Sequence, residues 1–126
     1  MKYTIYFIFL FCFLTACNKP SEGEIIQNDT TLCMTTKHHD ETVPDLEIYL
    51  KYGQNEFPGY SEFDYDTMFV IGDNGRGCIE DLPYGQYWLM TKGPDLAWGA
   101  DVFGSMFLEL SRFEAEIDTV LVVNEI

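Results

Sequence analysis

Residues 75–89 read GRGCIEDLPYGQYWL. Two segments rich in apolar and aromatic side chains, 77–82 and 86–91, lie on either side of Pro83-Tyr84-Gly85. Proline fixes φ near −65° and glycine tolerates positive φ, so the residues between the segments favour a chain reversal. This stretch therefore predicts two β-strands joined by a tight hairpin turn.

Short apolar segments separated by turn residues continue on both sides of this stretch. They recur roughly every 8 to 12 residues, and no convincing long helical period interrupts them. Asp73-Asn74-Gly75 supplies residues that tolerate positive φ, and it predicts a second tight hairpin. We therefore predict an all-β fold, a sandwich of seven strands at residues 32–36, 46–52, 67–71, 77–82, 86–91, 102–110 and 115–123.

The central stretch also carries a resemblance to a known family. Ile79 supplies an apolar residue, Leu82-Pro83-Tyr84-Gly85 supplies the turn, and Tyr87 and Leu89 take the inward positions of the next strand. This pattern resembles the central hairpin of carboxypeptidase regulatory-like and transthyretin-like (prealbumin-like) sandwiches. The resemblance implies a single seven-stranded Greek-key β-sandwich over roughly residues 31–124. It also implies an accessory, structural or binding module, because domains of this kind are mostly non-enzymatic.

The amino terminus has the three parts of a secretory signal. Lys2 precedes a continuous apolar run at residues 5–14, which small residues follow. A run of about 10 residues is half of the roughly 20 that a membrane-spanning helix needs, so we expect export rather than a transmembrane anchor.

Leu14-Thr15-Ala16-Cys17 resembles the lipobox of bacterial lipoproteins. In that family the chain is cut before the cysteine, whose thiol is diacylated, so the resemblance implies lipidation of Cys17. Two or three acyl chains, at about 0.8 kcal/mol per buried methylene, hold a protein on a membrane. The alternative is an ordinary signal peptide cut nearby, with Cys17 a plain thiol.

Three regions follow from these observations: a signal peptide at residues 1–16, a flexible polar tether at 17–30 and the β-sandwich at 31–126. Glu22 and Glu24 in the tether loosely resemble signals that send some lipoproteins of Gram-negative bacteria to the cell surface. We expect a lipoprotein anchored to the outer membrane of a Gram-negative bacterium, either periplasmic or surface-exposed, with the leaflet left open.

Charge excludes one class of partner. The chain of 126 residues has 21 acidic and 7 basic side chains, for a net charge of -14. Affinity for nucleic acid comes mostly from clustered Lys and Arg, so we expect no nucleic-acid partner. The acidity instead favours solubility and low attraction to anionic membrane surfaces, with the lipid as the anchor.

Cys33 and Cys78 are the two thiols that remain once Cys12 leaves with the signal peptide and Cys17 is acylated. Export places them in an oxidising compartment, which favours a disulfide between them. Two separate buried thiols are the alternative. Alternation along the predicted strands places both cysteines away from the main core.

His38-His39-Asp40-Glu41 is the only cluster that contains histidine. Adjacent residues of an extended chain point to opposite sides, which makes a shared metal ion awkward, so we predict a polar turn. Glu62, Asp64 and Asp66 alternate and could share one strand face, but no calcium-binding loop fits them, and we predict solvated acids. We therefore predict no catalytic residues, no metal ligands and no cofactor.

Three aromatic residues are the candidates for ligand binding. Trp98 lies in a predicted interstrand loop, Tyr84 at a turn, and Trp88 on the strand face opposite Tyr87 and Leu89. Aromatic faces with polar neighbours are used in carbohydrate and peptide sites. The alternative is that Trp98 caps an open end of the sandwich and Trp88 fills its second face.

Taken from the sequence, the function is that of a non-enzymatic cell-envelope lipoprotein acting as an accessory, structural or ligand-binding module. Its expected partners are the membrane, through the lipid, and a glycan or an envelope protein. The alternative is a small carboxylate- or metal-dependent hydrolase. The two adjacent histidines and the absence of a nucleophile motif weigh against an enzyme.

Overall fold

The computed structural model describes residues 29–126. All seven predicted strands are present, and two strands of two residues each are added to them. The bounds are β1 (Asp29–His38), β2 (Glu41–Thr42), β3 (Glu47–Tyr52), β4 (Thr67–Val70), β5 (Arg76–Pro83), β6 (Gly85–Asp95), β7 (Ala100–Leu110), β8 (Glu116–Val122) and β9 (Asn124–Glu125). The predicted signal peptide, Cys17 and nearly all of the tether lie outside the described residues, and β1 begins at Asp29.

The strands form two sheets, which confirms the prediction of an all-β sandwich. In the first sheet β1 pairs in parallel with β8 and in antiparallel with β5 and β2. The second sheet has the order β4-β3-β6-β7-β9, with antiparallel pairing throughout. Among residues 29–126, no helix has the length and apolar character needed to cross a membrane.

Both predicted hairpins are wrong, although both predicted turns exist. Gly75 donates its N–H to the carbonyl of Gly72 at 3.0 Å, which closes a tight turn before β5. However, β4 pairs with β3 while β5 pairs with β1, so this turn leads from one sheet to the other. Pro83-Tyr84-Gly85 likewise leads from β5 in the first sheet to β6 in the second. Turn chemistry sets where the chain reverses, whereas the burial of apolar faces decides which strands pair.

The core lies between the inner faces of the two sheets. Leu32 and Met34 face inward from β1, and Ile48, Leu50 and Leu89 face inward from the second sheet, all at 0% exposure. Side chains two apart on a strand share a face, so this alternation supplies both halves of the core.

The predicted disulfide joins Cys33 to Cys78 and is confirmed. The two residues are direct partners in the pairing of β1 with β5, and their Cα atoms lie 4.1 Å apart. Cys33 lies between the core residues Leu32 and Met34 and is not part of the core cluster, so the bond lies on the outer face of the first sheet, as alternation predicted.

The last residues of the chain cross from the first sheet to the second. Val123 follows β8 and donates its N–H to the carbonyl of Lys37 at 2.9 Å, after which β9 pairs with β7. This crossing runs against Gly104, where an added Cβ would lie 2.7 Å from the carbonyl oxygen of Val122. The absent side chain therefore lets the carboxyl-terminal segment pass close to β7.

Loss of the disulfide is expected to lower stability. The bond closes a loop with a sequence separation of 45, and in the chain-entropy model a loop of that size stabilises the fold by about 4 kcal/mol. We expect the Cys33→Ala/Cys78→Ala double variant to lose free energy of unfolding on that scale in urea denaturation followed by circular dichroism. The Cys17→Ser variant is the control. An unchanged midpoint in the double variant would contradict the prediction.

Candidate functional site

The turn between β1 and β2 has an uncommon backbone. His38 pairs with Glu41, and the two residues between them, His39 and Asp40, have φ values of 52° and 63°. Positive φ at both central residues is the pattern of a type I′ turn, which suits a two-residue hairpin. The predicted turn is therefore present. The expectation that the two imidazoles face opposite sides is wrong, because it assumed an extended chain at a place where the chain reverses.

The two histidine rings lie side by side, with centroids 4.1 Å apart. His38 is 2% exposed and faces the interior, whereas His39 is exposed. The cluster is therefore more than a solvated polar turn, since one of its histidines is buried at the end of the core.

His38 is held by a buried carboxylate. Its Nδ1 lies 2.8 Å from Oδ2 of Asp95, the last residue of β6, which is itself 3% exposed. The other carboxylate oxygen of Asp95 accepts the N–H of Ala97 at 3.1 Å. A carboxylate that accepts from an imidazole requires the proton on Nδ1. The opposite ring nitrogen, Nε2, is thereby left as a free acceptor in the neutral ring.

Glu125 of β9 brings a second carboxylate to the same place. Its Oε1 lies 3.7 Å from Nε2 of His38 and 3.5 Å from Nε2 of His39. Backbone pairing with Val102 of β7 fixes the position of Glu125. Three potential ligand residues from the turn and from β9 therefore meet at one point, with their ligand atoms within 4.8 Å of one another.

Trp98 covers the exposed side of this group. Its ring stacks on His39, with centroids 4.2 Å apart and planes inclined by 29°. The indole is 49% exposed, and its backbone N–H donates to the carbonyl of Asp95 at 3.2 Å. The end of β6 thus presents the carboxylate behind His38, and the short connection to β7 presents the ring over His39. We call His38, His39, Asp95, Trp98 and Glu125 the histidine cluster.

The structure does not bring the three predicted ligand-binding aromatics together. Trp98 lies beyond one end of β6 and Tyr84 precedes its other end, and a strand of this length spans about 35 Å. Trp88 lies on the outer face of the second sheet, where it contacts Phe57 and Phe107 edge to face. A ligand site that contains any one of Trp98, Tyr84 and Trp88 would therefore not contain the other two.

The outer face of the second sheet is nevertheless rich in aromatic side chains. Phe57 and Tyr60, from the connection between β3 and β4, pack edge to face and each contacts Phe103 of β7. An open cavity of about 390 Å³ adjoins them and reaches the histidine cluster through Glu125 alone. Trp88 lies near Phe57 on this face, and its buried Nε1 has no hydrogen-bond partner among the described residues.

Lys92 holds the connection between β3 and β4 over this face. Its Nζ lies 2.9 Å from the carbonyl of Tyr60 and 2.8 Å from Oε2 of Glu62. The hydrogen bond from Lys92 holds the pKa of the Glu62 carboxyl below its usual value. The positive charge of Lys92, on the outer face of β6, therefore helps to hold the connection between β3 and β4 in place.

The alternating acids do not share a strand face. Glu62 and Asp64 lie in a single turn of 3-10 helix, whereas Asp66 accepts the N–H of Tyr52 at 2.8 Å and lies 3.4 Å from Nζ of Lys51. No metal-like grouping of these three acids occurs in the described part of the chain. The interpretation of these residues as separate surface acids stays a prediction.

Sequence reasoning did not identify Asp95 or Glu125. Asp95 follows Pro94 in a segment that reads as a loop, and nothing local indicates that β6 continues to it and buries its side chain. Glu125 is placed only by the crossing of the chain after Val123. Both depend on pairings between distant segments, which a local pattern does not contain.

Comparison with solved structures supports the fold. A variant of BcpA, the major pilin subunit of Bacillus cereus, matches with a TM-score of 0.52 and 13% sequence identity. The chain is a β-sandwich. The alignment covers 76% of this chain but only 30% of the pilin, and at this identity the likeness shows the fold alone. No protein-family model matches the chain, and no curated protein matches it.

Removal of the buried carboxylate is expected to destabilise the fold. In Asp95→Ala the imidazole of His38 loses its partner while remaining buried, and breaking a buried pair costs about 3 kcal/mol. Urea denaturation measures the change in free energy of unfolding. Asp101→Asn, an exposed acid in the same β6–β7 hairpin, is the matched control and should change stability by less than about 0.5 kcal/mol. Equal effects of the two substitutions would refute the role assigned to Asp95.

Proposed function

We propose that this protein is a non-enzymatic lipoprotein of the cell envelope, in which a β-sandwich acts as an accessory, structural or ligand-binding module. The disulfide between Cys33 and Cys78 is the observation that carries the proposal. Disulfides persist in oxidising compartments and are rare in the cytosol of most organisms. The bond therefore supports export, which is also what residues 1–17 predict.

The fold is consistent with a module of this kind. The protein that matches in structure is described as a major pilin subunit, and we extend to this chain only the general character of a non-enzymatic module. The motif around Leu82-Pro83-Tyr84-Gly85 still favours membership of the carboxypeptidase regulatory-like or prealbumin-like sandwiches. Lipidation at Cys17 and an outer-membrane location complete the proposal, and they rest on the lipobox alone.

The chemistry of the histidine cluster favours binding over acid-base catalysis. Within residues 29–126, the hydrogen bonds of His38 and His39 include no Ser, Thr or Cys side chain, so a nucleophile activated by an imidazole base has no support. The open cavity of about 390 Å³ meets the cluster only at Glu125. A metal-dependent hydrolase remains the alternative, and the meeting of two imidazoles with Glu125 is the one observation in its favour.

For ligand binding, the outer aromatic face is the better candidate surface. Trp88 and Phe103 lie on this face together with Phe57 and Tyr60, and the open cavity lies beside them. Aromatic faces beside a charged side chain such as Lys92 are suited to a glycan or a peptide of another envelope protein. The net charge of -14 argues against nucleic acid.

Lipid anchoring is tested by substitution of the lipobox cysteine. The acyl chains would hold the protein on the membrane, so the wild type should partition into the membrane fraction and incorporate labelled palmitate, whereas Cys17→Ser should do neither. The Cys33→Ser/Cys78→Ser variant is the control and should keep the label. Membrane partitioning of Cys17→Ser with the label retained would contradict lipidation at this residue.

A further inference from the structure

We propose that His38, His39 and Glu125 bind a divalent transition-metal ion, with Asp95 orienting His38 from behind. The proposed ligands are Nε2 of His38, Nε2 of His39 and a carboxylate oxygen of Glu125. His38 is the last residue of β1, His39 follows it in the β1–β2 turn, and Glu125 lies in β9. The site departs from the prediction that the histidines have no role in metal binding.

The distances already approach those of a coordination shell. In a tetrahedral zinc site with bonds of about 2.0–2.1 Å, neighbouring ligand atoms lie about 3.3–3.4 Å apart. Oε1 of Glu125 lies 3.5 Å from Nε2 of His39 and 3.7 Å from Nε2 of His38. One potential ligand atom from each of the three residues lies within 4.8 Å of the other two. Closing this group on an ion requires only small movements, because His39 and Glu125 are half-exposed side chains.

The buried hydrogen bond between His38 and Asp95 also supports a metal site, independently of the distances among the three proposed ligand atoms. A metal-binding histidine usually donates its other ring N–H to a carboxylate, which fixes the tautomer and raises the basicity of the ligand nitrogen. The bond of 2.8 Å from Nδ1 of His38 to Asp95 has that arrangement, and both groups are almost fully buried.

The donor set selects the class of ion. Two imidazole nitrogens and one carboxylate oxygen suit Zn²⁺ and neighbouring late first-row ions, whereas Mg²⁺ and Ca²⁺ prefer shells made only of oxygen. The cysteines of the described residues, Cys33 and Cys78, are joined to each other and offer no thiolate. Three protein ligands leave a fourth position for water or for a donor from a partner.

A bound ion would connect the two sheets. His38 and His39 belong to the first sheet at the end of β1, and Glu125 belongs to the second through β9. The ion would add a link at the same end of the sandwich where the chain crosses after Val123. Binding to the folded state alone raises stability by mass action, so metal should raise the melting temperature.

Calorimetric titration of the chelator-treated full chain with Zn²⁺ tests the site. We expect a single ion per chain and an increase in melting temperature, with no binding of Mg²⁺ or Ca²⁺. His39→Ala and Glu125→Gln alter exposed side chains and should each weaken Zn²⁺ affinity by at least about tenfold. Glu109→Gln, an exposed acid on β7, is the matched control and should bind as the wild type does.

Fluorescence gives a second readout that locates the ion. Because Trp98 stacks on His39, Cu²⁺ or Ni²⁺ at the site should quench its emission, and Trp98→Phe should remove the quenching while Zn²⁺ still binds. Affinity unchanged in both ligand variants would overturn the proposal, as would a dissociation constant weaker than about 1 mM for Zn²⁺ in the wild type. Neither result depends on lipidation or on the non-enzymatic role proposed above.

Discussion

Strand β1 is hydrogen-bonded along both edges, in parallel to β8 and in antiparallel to β5 and β2. It joins segments from the beginning, the middle and the end of the described chain. Its inner face supplies Leu32 and Met34 to the core, and its outer face carries Cys33 into the disulfide. Because β8 pairs with β1, the residues that follow β8 lie at the end of β1, where the histidine cluster forms.

The buried pair of His38 and Asp95 fixes the geometry of the histidine cluster on this scaffold. Burial of two polar groups is costly unless each finds its hydrogen bonds, and here the carboxylate has both an imidazole and a backbone N–H as partners. The pair therefore contributes a defined orientation of one ring more than it contributes net stability. That orientation turns Nε2 of His38 toward Glu125.

Much of the fold could be predicted because its signals are local. Alternation of side chains and turn residues located all seven long strands, and two thiols in an exported domain indicated the disulfide. The distribution of strands between sheets could not be predicted: Pro83-Tyr84-Gly85 specifies a reversal but not whether β6 returns to β5 or crosses to β3. The cluster was missed for a related reason. Positive φ at His39 reverses the usual alternation, and Asp95 and Glu125 arrive through long-range pairing.

Strand β1 holds His38 against Asp95 with the Nδ1 proton in the bond and Nε2 directed at the other proposed ligands. Long-range ¹H–¹⁵N NMR of the metal-free protein measures directly which ring nitrogen of His38 carries the proton. We expect that Nδ1 of His38 carries the proton, that this proton exchanges slowly, and that its signal changes in Asp95→Asn. A proton on Nε2 with a bare Nδ1 would contradict it.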